Sequence, residues 1–353
     1  MSRAANWIWS RFFPGPCPAG AGVDNLWGEL GKNDPTVQNL TGIATAYGEA
    51  RTKQLQRINR TEEQLAAVYH VLPKQGVARR RAFAAMVERW ESLGILTGDT
   101  CVIDVGAGTG NLLAAFQQRA SDPNAGSWRL TYVPIEKSEA FLSLLNEVAR
   151  DARKAMGSRF GGHETPYVAA DAGALPKRWR RSLPDAERYI VHFGGFHQKI
   201  NEHIPTDAPG QEPAAEQQHI KLTHGIVGLV PPRAAVAVSV FVNQPRSCGT
   251  FAGMLDRIAA LHERATHFLI YPCPSSSNAN RSRGCWQEGT ARECGRSSEQ
   301  GPPPREGPFC ELAPGSSGER EFEFVLVVEG IRGRFSGLCP PSCYPSSRSF
   351  CRP

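Results

Sequence analysis

The sequence predicts an α/β fold: a doubly wound, mainly parallel sheet of seven strands, with a helical N-terminal extension and a long insertion before the last strand. Three observations predict it. From residue 96 onward short β-rich runs alternate with segments of helical period, the pattern of strand–helix–strand units. The first run leads into a glycine-rich turn that opens a helix, "CVIDVGAGTGNLL" at 101–113, as the first unit of such a sheet often does. A late strand, "REFEFVLVVEG" at 320–330, follows a stretch without any period.

The elements follow in order. Residues 1–60 form an extension, and 61–95 a helical lead-in in which Phe83, Met86, Val87 and Trp90 recur at helical spacing and Gly94 sits where a helix would stop. The domain proper spans 96–330. "CVIDVG" is a strand and "GNLLAAFQQRA" a helix, then "RLTYVPIE" a strand and "SEAFLSLLNEVARDARKAM" a long helix. "PYVAAD", "RYIVHFG" and "AAVAVSVFV" read as three more strands, "GTFAGMLDRIAALHERA" as a helix and "HFLIYP" as the sixth strand. Residues 274–319, rich in Ser, Gly, Pro and Arg, read as the insertion or a disordered loop. Residues 331–353 read as an irregular tail. No repeat occurs at solenoid periods.

Bulk properties narrow the function classes. The 353 residues are 41% hydrophobic and 21% charged, an ordinary globular composition. The net charge of +6 permits a nucleic-acid partner without demanding one. The longest apolar stretch is broken by Pro231, Pro232 and Arg233, well short of the roughly 20 residues of a membrane span. Ten cysteines are too few for a disulfide scaffold, although seven lie at or beyond Cys273. The N-terminus carries Arg3 and Arg11 but no acid before Asp24. That leaves open a mitochondrial or plastid transit peptide and a disordered or loosely docked tail.

The glycine turn carries the chemistry. Gly106 lets the chain leave the strand sharply, Gly108 clears the backbone for a ligand, and Gly110 lets the next helix pack close. A dinucleotide fingerprint reads G-x-G-x-x-G. Here the spacing from Asp104 is acid-x-G-x-G-x-G, which resembles motif I of the class I S-adenosylmethionine-dependent methyltransferases. Two further acids stand in the expected order. Glu136 ends the next strand, 26 residues past Gly110, and suits a ribose diol; Asp171 follows the third strand, where the adenine edge would lie. Each acid taken alone also fits a solvated strand-end cap, Asp171 more readily than Glu136. The resemblance implies a Rossmann-like methyltransferase sheet with S-adenosylmethionine as cofactor, held by Asp104, Gly106, Gly108, Gly110, Glu136 and Asp171.

The position after the fourth strand, "VHFGGFHQKINEH", lacks the Asn/Asp-Pro-Pro-aromatic stretch of adenine-type amino methylases. Cys273 follows the sixth strand and so is misplaced for a cytosine-methylase nucleophile. His192, inside a strand, reads as a core histidine, and His197 as the better candidate base. No catalytic residue is assigned. Cofactor binding without turnover and methyl transfer by positioning alone both stay open.

The stretch at 240–287, "VFVNQPRSCGTFAGMLDRIAALHERATHFLIYPCPSSSNANRSRGCWQ", resembles one branch of this fold: the methyltransferase-like proteins of the mitochondrial small ribosomal subunit. That resemblance implies an iron–sulfur cluster, with Cys273, Cys285, Cys294 and Cys343 at the matching positions; Cys310 and Cys339 compete for the fourth place. None of these forms C-x-x-C, and isolated reduced thiols are the plain alternative. The branch also implies ribosomal RNA and small-subunit proteins as partners, action in ribosome assembly or as a bound subunit, and a mitochondrial location, with a cytoplasmic one as the alternative. Lys177, Arg178, Trp179, Arg180 and Arg181 form a basic cluster whose aromatic suits base stacking or simple packing. Arg79, Arg80 and Arg81 read as a second basic cluster or as a solvated helix face. A methyltransferase acting on another RNA or a small molecule, and a catalytically silent interaction protein, remain as alternatives.

Overall fold

The computed structural model describes residues 2–34, 60–72, 76–163, 183–194, 225, 226, 228–231, 234–243, 265–271, 285–288 and 321–328. The chain divides into two compact units: Met1–Glu91 with Ala107–Val168, and Ser92–Gly106 with Ala169–Pro353. Strands and helices alternate along the chain, and the parallel strand pairs in both units make this the predicted Rossmann-like α/β fold.

The first unit holds helices α1 (Arg3–Trp9), α2 (Leu26–Asn33), α3 (Glu62–Val71) and α4 (Ala78–Ser92), as well as α5 (Asn111–Ala120), α6 (Glu139–Met156), and the strands β2 (Trp128–Ile135) and β3 (Phe160–His163). Helix α3 starts at a capping box: the Thr61 side chain accepts from the Gln64 amide while the Gln64 side chain reaches back to Thr61. Helix α6 buries Leu142, Leu145, Val148, Ala149, Ala152 and Met156, which recur at helical spacing and so share its inner face. Trp90, Phe116 and Trp128 form an aromatic cluster, with ring centroids 6.1 Å and 5.9 Å apart. Strands β2 and β3 pair in parallel, Leu130 opposite Phe160.

The N-terminal segment is neither disordered nor loosely docked. Helix α1 packs against α6 and buries Ala4, Ala5, Trp7 and Ile8. Asp151 of α6 accepts from the Ser2 hydroxyl at 2.7 Å and from the amides of Arg3 and Ala4 at 2.9 and 3.1 Å. The Trp7 indole donates to Ser143 Oγ at 3.2 Å, and the Arg11 guanidinium lies 3.7 Å over the Trp7 ring.

The second unit holds β1 (Gly98–Val105), β4 (Arg188–Gly194), β5 (Ala235–Asn243), β6 (Ala265–Tyr271), β7 (Cys285–Glu288) and β8 (Glu321–Val328). β4 runs parallel between β1 and β5; β8 then lies antiparallel to both β5 and β6, and β7 pairs antiparallel with β6. Val102, Ile103, Ile190, Val191, Ala237 and Val238 are buried whichever face they point to, as parallel strands covered on both sides require.

Two expectations need correction. Residues 274–319 are not free of structure, because β7 falls inside them; four residues are too few to show a period in sequence. A strand after α6 comes earlier than "PYVAAD", over the glycine-bearing "FGGH", whose composition hides its strand character. The "PYVAAD" run itself lies outside the described residues, as does the helix expected over 249–265 apart from Ala265, which begins β6. Among the described residues no helix is long and apolar enough to cross a membrane.

Candidate cofactor-binding loop

The loop Ala107–Gly110 leads directly into α5. Gly108 and Gly110 both hold positive φ, +58° and +83°, a backbone region that side chains disfavour. At Gly110 a Cβ would also sit 3.3 Å from Leu145 Cγ and 3.4 Å from Val148 Cγ1. That glycine therefore serves the close packing of α5 on α6, as its place in the motif predicted.

Gly108 has a different role. Its amide donates to Glu136 Oε2 at 2.9 Å, across 28 residues of chain. Glu136 stands just past β2, between that strand and α6. Its other oxygen, Oε1, accepts from the amides of Lys137 at 2.8 Å and Ser138 at 2.9 Å. The Ala107 amide donates to the Ile135 carbonyl at 3.0 Å and so pins the loop to the strand end. Each carboxylate oxygen accepts about two hydrogen bonds, so Oε2 keeps one site for a donor such as a ribose hydroxyl. The carboxylate is half-buried and stands beside the bare backbone of Gly108.

A second set of residues holds the loop from the other side. His70 Nδ1 lies 2.7 Å from Thr109 Oγ1, with both side chains buried. Burial, and after it the Arg80 cation, push the His70 pKa well below its usual value, so the ring is neutral. Arg80 Nη1 donates to the His70 carbonyl at 2.8 Å and to Asn111 Oδ1 at 2.9 Å, and its Nη2 pairs with Asp24. Burial lowers the Arg80 pKa while the Asp24 hydrogen bond and charge oppose that shift. Arg80 is therefore not part of a basic surface: of the three arginines, Arg80 is buried, Arg79 donates to Tyr69 Oη at 3.2 Å, and Arg81 is exposed.

The remaining predicted residues are distributed as follows. Asp104 is a buried residue of β1, opposite His192 of β4 in the strand register, and Gly106 follows β1 with φ +72°. His192 is fully buried, with Nδ1 3.2 Å from Ser239 Oγ, in keeping with its reading as a core histidine. Cys285 begins β7, opposite Ile270. Asp171, Lys177, Arg178, Trp179, Arg180, Arg181, His197, Cys273, Cys294 and Cys343 lie outside the described residues. Among the described residues no group of three or more His, Cys, Asp or Glu side chains is arranged to hold a metal ion.

No protein-family model matches the chain, and no curated protein matches it. Solved structures do. A S-adenosylmethionine-dependent methyltransferase from Clostridium acetobutylicum is 11% identical, with 58% of this chain and 63% of that one covered and a TM-score of 0.30. The mitomycin 7-O-methyltransferase MmcR is 14% identical, with 59% and 54% covered and a TM-score of 0.30. A methyltransferase from Geobacter sulfurreducens, in complex with S-adenosyl-L-homocysteine, is 10% identical, with 71% and 90% covered and a TM-score of 0.33. The chain thus spans less than two thirds of the first two. All three are methyltransferases, two of them S-adenosylmethionine-dependent.

Proposed function

We propose that this chain binds S-adenosylmethionine on the loop Ala107–Gly110, as a methyltransferase-like protein. One observation carries the reading: the Gly108 amide and the Glu136 carboxylate are joined at 2.9 Å, bare backbone beside a strand-end acid with an acceptor site to spare. Glu136 would receive the ribose hydroxyls and Gly108 would let the cofactor approach the main chain. Asp104, Gly106 and Asp171 complete the set that the motif implies. When bound, the cofactor supplies an electrophilic methyl group on a sulfonium. What the chain's own residues do is orient that nucleoside and keep the loop rigid around it.

Titration calorimetry of the full chain tests this. S-adenosylmethionine should bind and a nicotinamide dinucleotide should not. Glu136→Ala should weaken binding at least about tenfold, about 1.4 kcal/mol. Absence of heat with S-adenosylmethionine would remove the reading.

Turnover is a separate matter. Of the two histidines weighed as bases, His192 is buried with Nδ1 3.2 Å from Ser239 Oγ, and His197 lies outside the described residues. The narrower reading rests on the resemblance of residues 240–287: a mitochondrial protein acting with small-subunit ribosomal RNA through Lys177–Arg181, with an iron–sulfur cluster on Cys273, Cys285, Cys294 and Cys343. Co-sedimentation with small ribosomal subunits and iron analysis after anaerobic purification test its two halves. A chain that stays at the top of the gradient, colourless and iron-free, would leave neither.

A further inference from the structure

We infer that His70 is a positioning residue for the cofactor loop: through Thr109 it holds the glycine turn in its binding-competent shape. This rests on the reading of the loop as a S-adenosylmethionine site and adds the lead-in helices to that site.

The loop's composition sets the problem. A turn with glycines at 108 and 110, both at positive φ, is costly to order, because glycine loses more backbone freedom than any other residue. A ligand that had to order it would bind more weakly by that amount. Between those glycines stands Thr109, whose hydroxyl is the sole side-chain polar group of residues 106–110. It is fully buried, and His70 Nδ1 meets it at 2.7 Å from a helix 39 residues earlier. The next residue but one, Asn111, is held from the same quarter, since Arg80 Nη1 bonds both Asn111 Oδ1 and the His70 carbonyl. Gly110 is therefore flanked by two clamped side chains, while Gly108 is clamped through Glu136.

A buried histidine is costly to remove from water, and the polar partner of the His70 ring is Thr109 of the loop. His70 sits in the run "LAAVYHV", in which each residue from Leu65 to Val71 is buried, so an apolar residue would fit the packing there as well. The histidine ring is placed where it meets the loop.

The experiment uses the full chain and four substitutions: His70→Ala, Thr109→Val, His70→Asn and Leu30→Ala. Leu30 is fully buried in α2 and has no side-chain polar group to join the hydrogen-bonded set, so its variant controls for a general loss of stability. Three quantities are read for each: affinity for S-adenosylmethionine by calorimetry, amide hydrogen exchange over residues 108–111, and the thermal midpoint. His70→Ala and Thr109→Val should each weaken binding roughly tenfold, the scale of one buried hydrogen bond, and should speed exchange at 108–111. Their double variant should be no worse than either alone, because both remove the same bond. His70→Asn, which restores a short polar side chain, should recover most of the affinity. Leu30→Ala should lower the thermal midpoint and leave affinity within about twofold.

Wild-type affinity in His70→Ala with unchanged exchange overturns the inference. So does an equal loss in Leu30→Ala, since a general loss of stability would then explain everything. Should His70→Ala not fold, Thr109→Val reads the same bond from the loop side. If the wild-type chain binds no S-adenosylmethionine, the cofactor reading fails. Exchange over 108–111 still decides whether His70 shapes the turn.

Discussion

Asp151 and Ser2 are 149 positions apart in sequence and joined by a 2.7 Å hydrogen bond, with the same carboxylate also accepting the first two amides of α1. One side chain of α6 thereby caps another helix, satisfying amides that a helix start leaves open. Asp151→Ala should cost about 1–2 kcal/mol, the scale of a lost helix cap. Chemical denaturation should show a lower midpoint with an unchanged slope. An unshifted midpoint would mean that α1 holds by its apolar face alone.

Arg80 and Asp24 give a contrast within one ion pair. The Arg80 side chain is 9% exposed and that of Asp24 65%. Arg80→Met strips a donor from the His70 carbonyl and from Asn111 Oδ1 in a buried setting, so it should cost about 2–4 kcal/mol. Asp24→Asn alters the exposed partner and should cost less than about 1 kcal/mol. Thermal unfolding of both variants checks the order, and equal losses would contradict it.

His70 should make stability fall on the acid side. Its folded-state pKa lies below the ordinary value of 6.5, through burial first and the facing Arg80 cation second. The unfolded chain therefore takes up this proton at a higher pH than the folded one. The contribution is fully present above about 6.5 and is lost as pH falls toward the lowered folded value. Denaturation series over pH 7.5 to 5 should show this slope in the wild type and a flatter one in His70→Asn. Identical slopes would mean that the histidine is not the group titrating.

Much of this was legible in the chain itself. The Gly108–Glu136 pairing could be anticipated because a motif fixed both ends: a glycine turn after one strand and an acid at the end of the next. His70 could not, since its partner lies 39 residues away and nothing local names Thr109. The signal available was a polar residue inside an unbroken buried run of α3. Arg80 was hidden differently. Three consecutive arginines look like a charged face, but successive helix positions point about 100° apart. One of the three turns inward and finds a carbonyl, an amide and Asp24. The N-terminal segment looked like a tail because its anchors, Ser143 and Asp151, are far along the chain.

Glu136 carries a subtler expectation. Its carboxylate accepts three backbone amides, from Gly108, Lys137 and Ser138. Glu136→Gln keeps one carbonyl oxygen and replaces the other with an amine that cannot accept. The variant should therefore bind S-adenosylmethionine more weakly than wild type and exchange the Gly108 amide faster. Faster exchange without weaker binding would separate loop bracing from ligand contact and assign Glu136 only the first.

The most direct measurement follows the glycines themselves. In the full chain labelled with ¹⁵N-glycine, saturating S-adenosylmethionine should shift the Gly108 amide resonance, whereas a nicotinamide dinucleotide should leave it in place. A Gly108 resonance that stays put while the cofactor binds and shifts signals elsewhere would place the ligand off this loop and contradict the account.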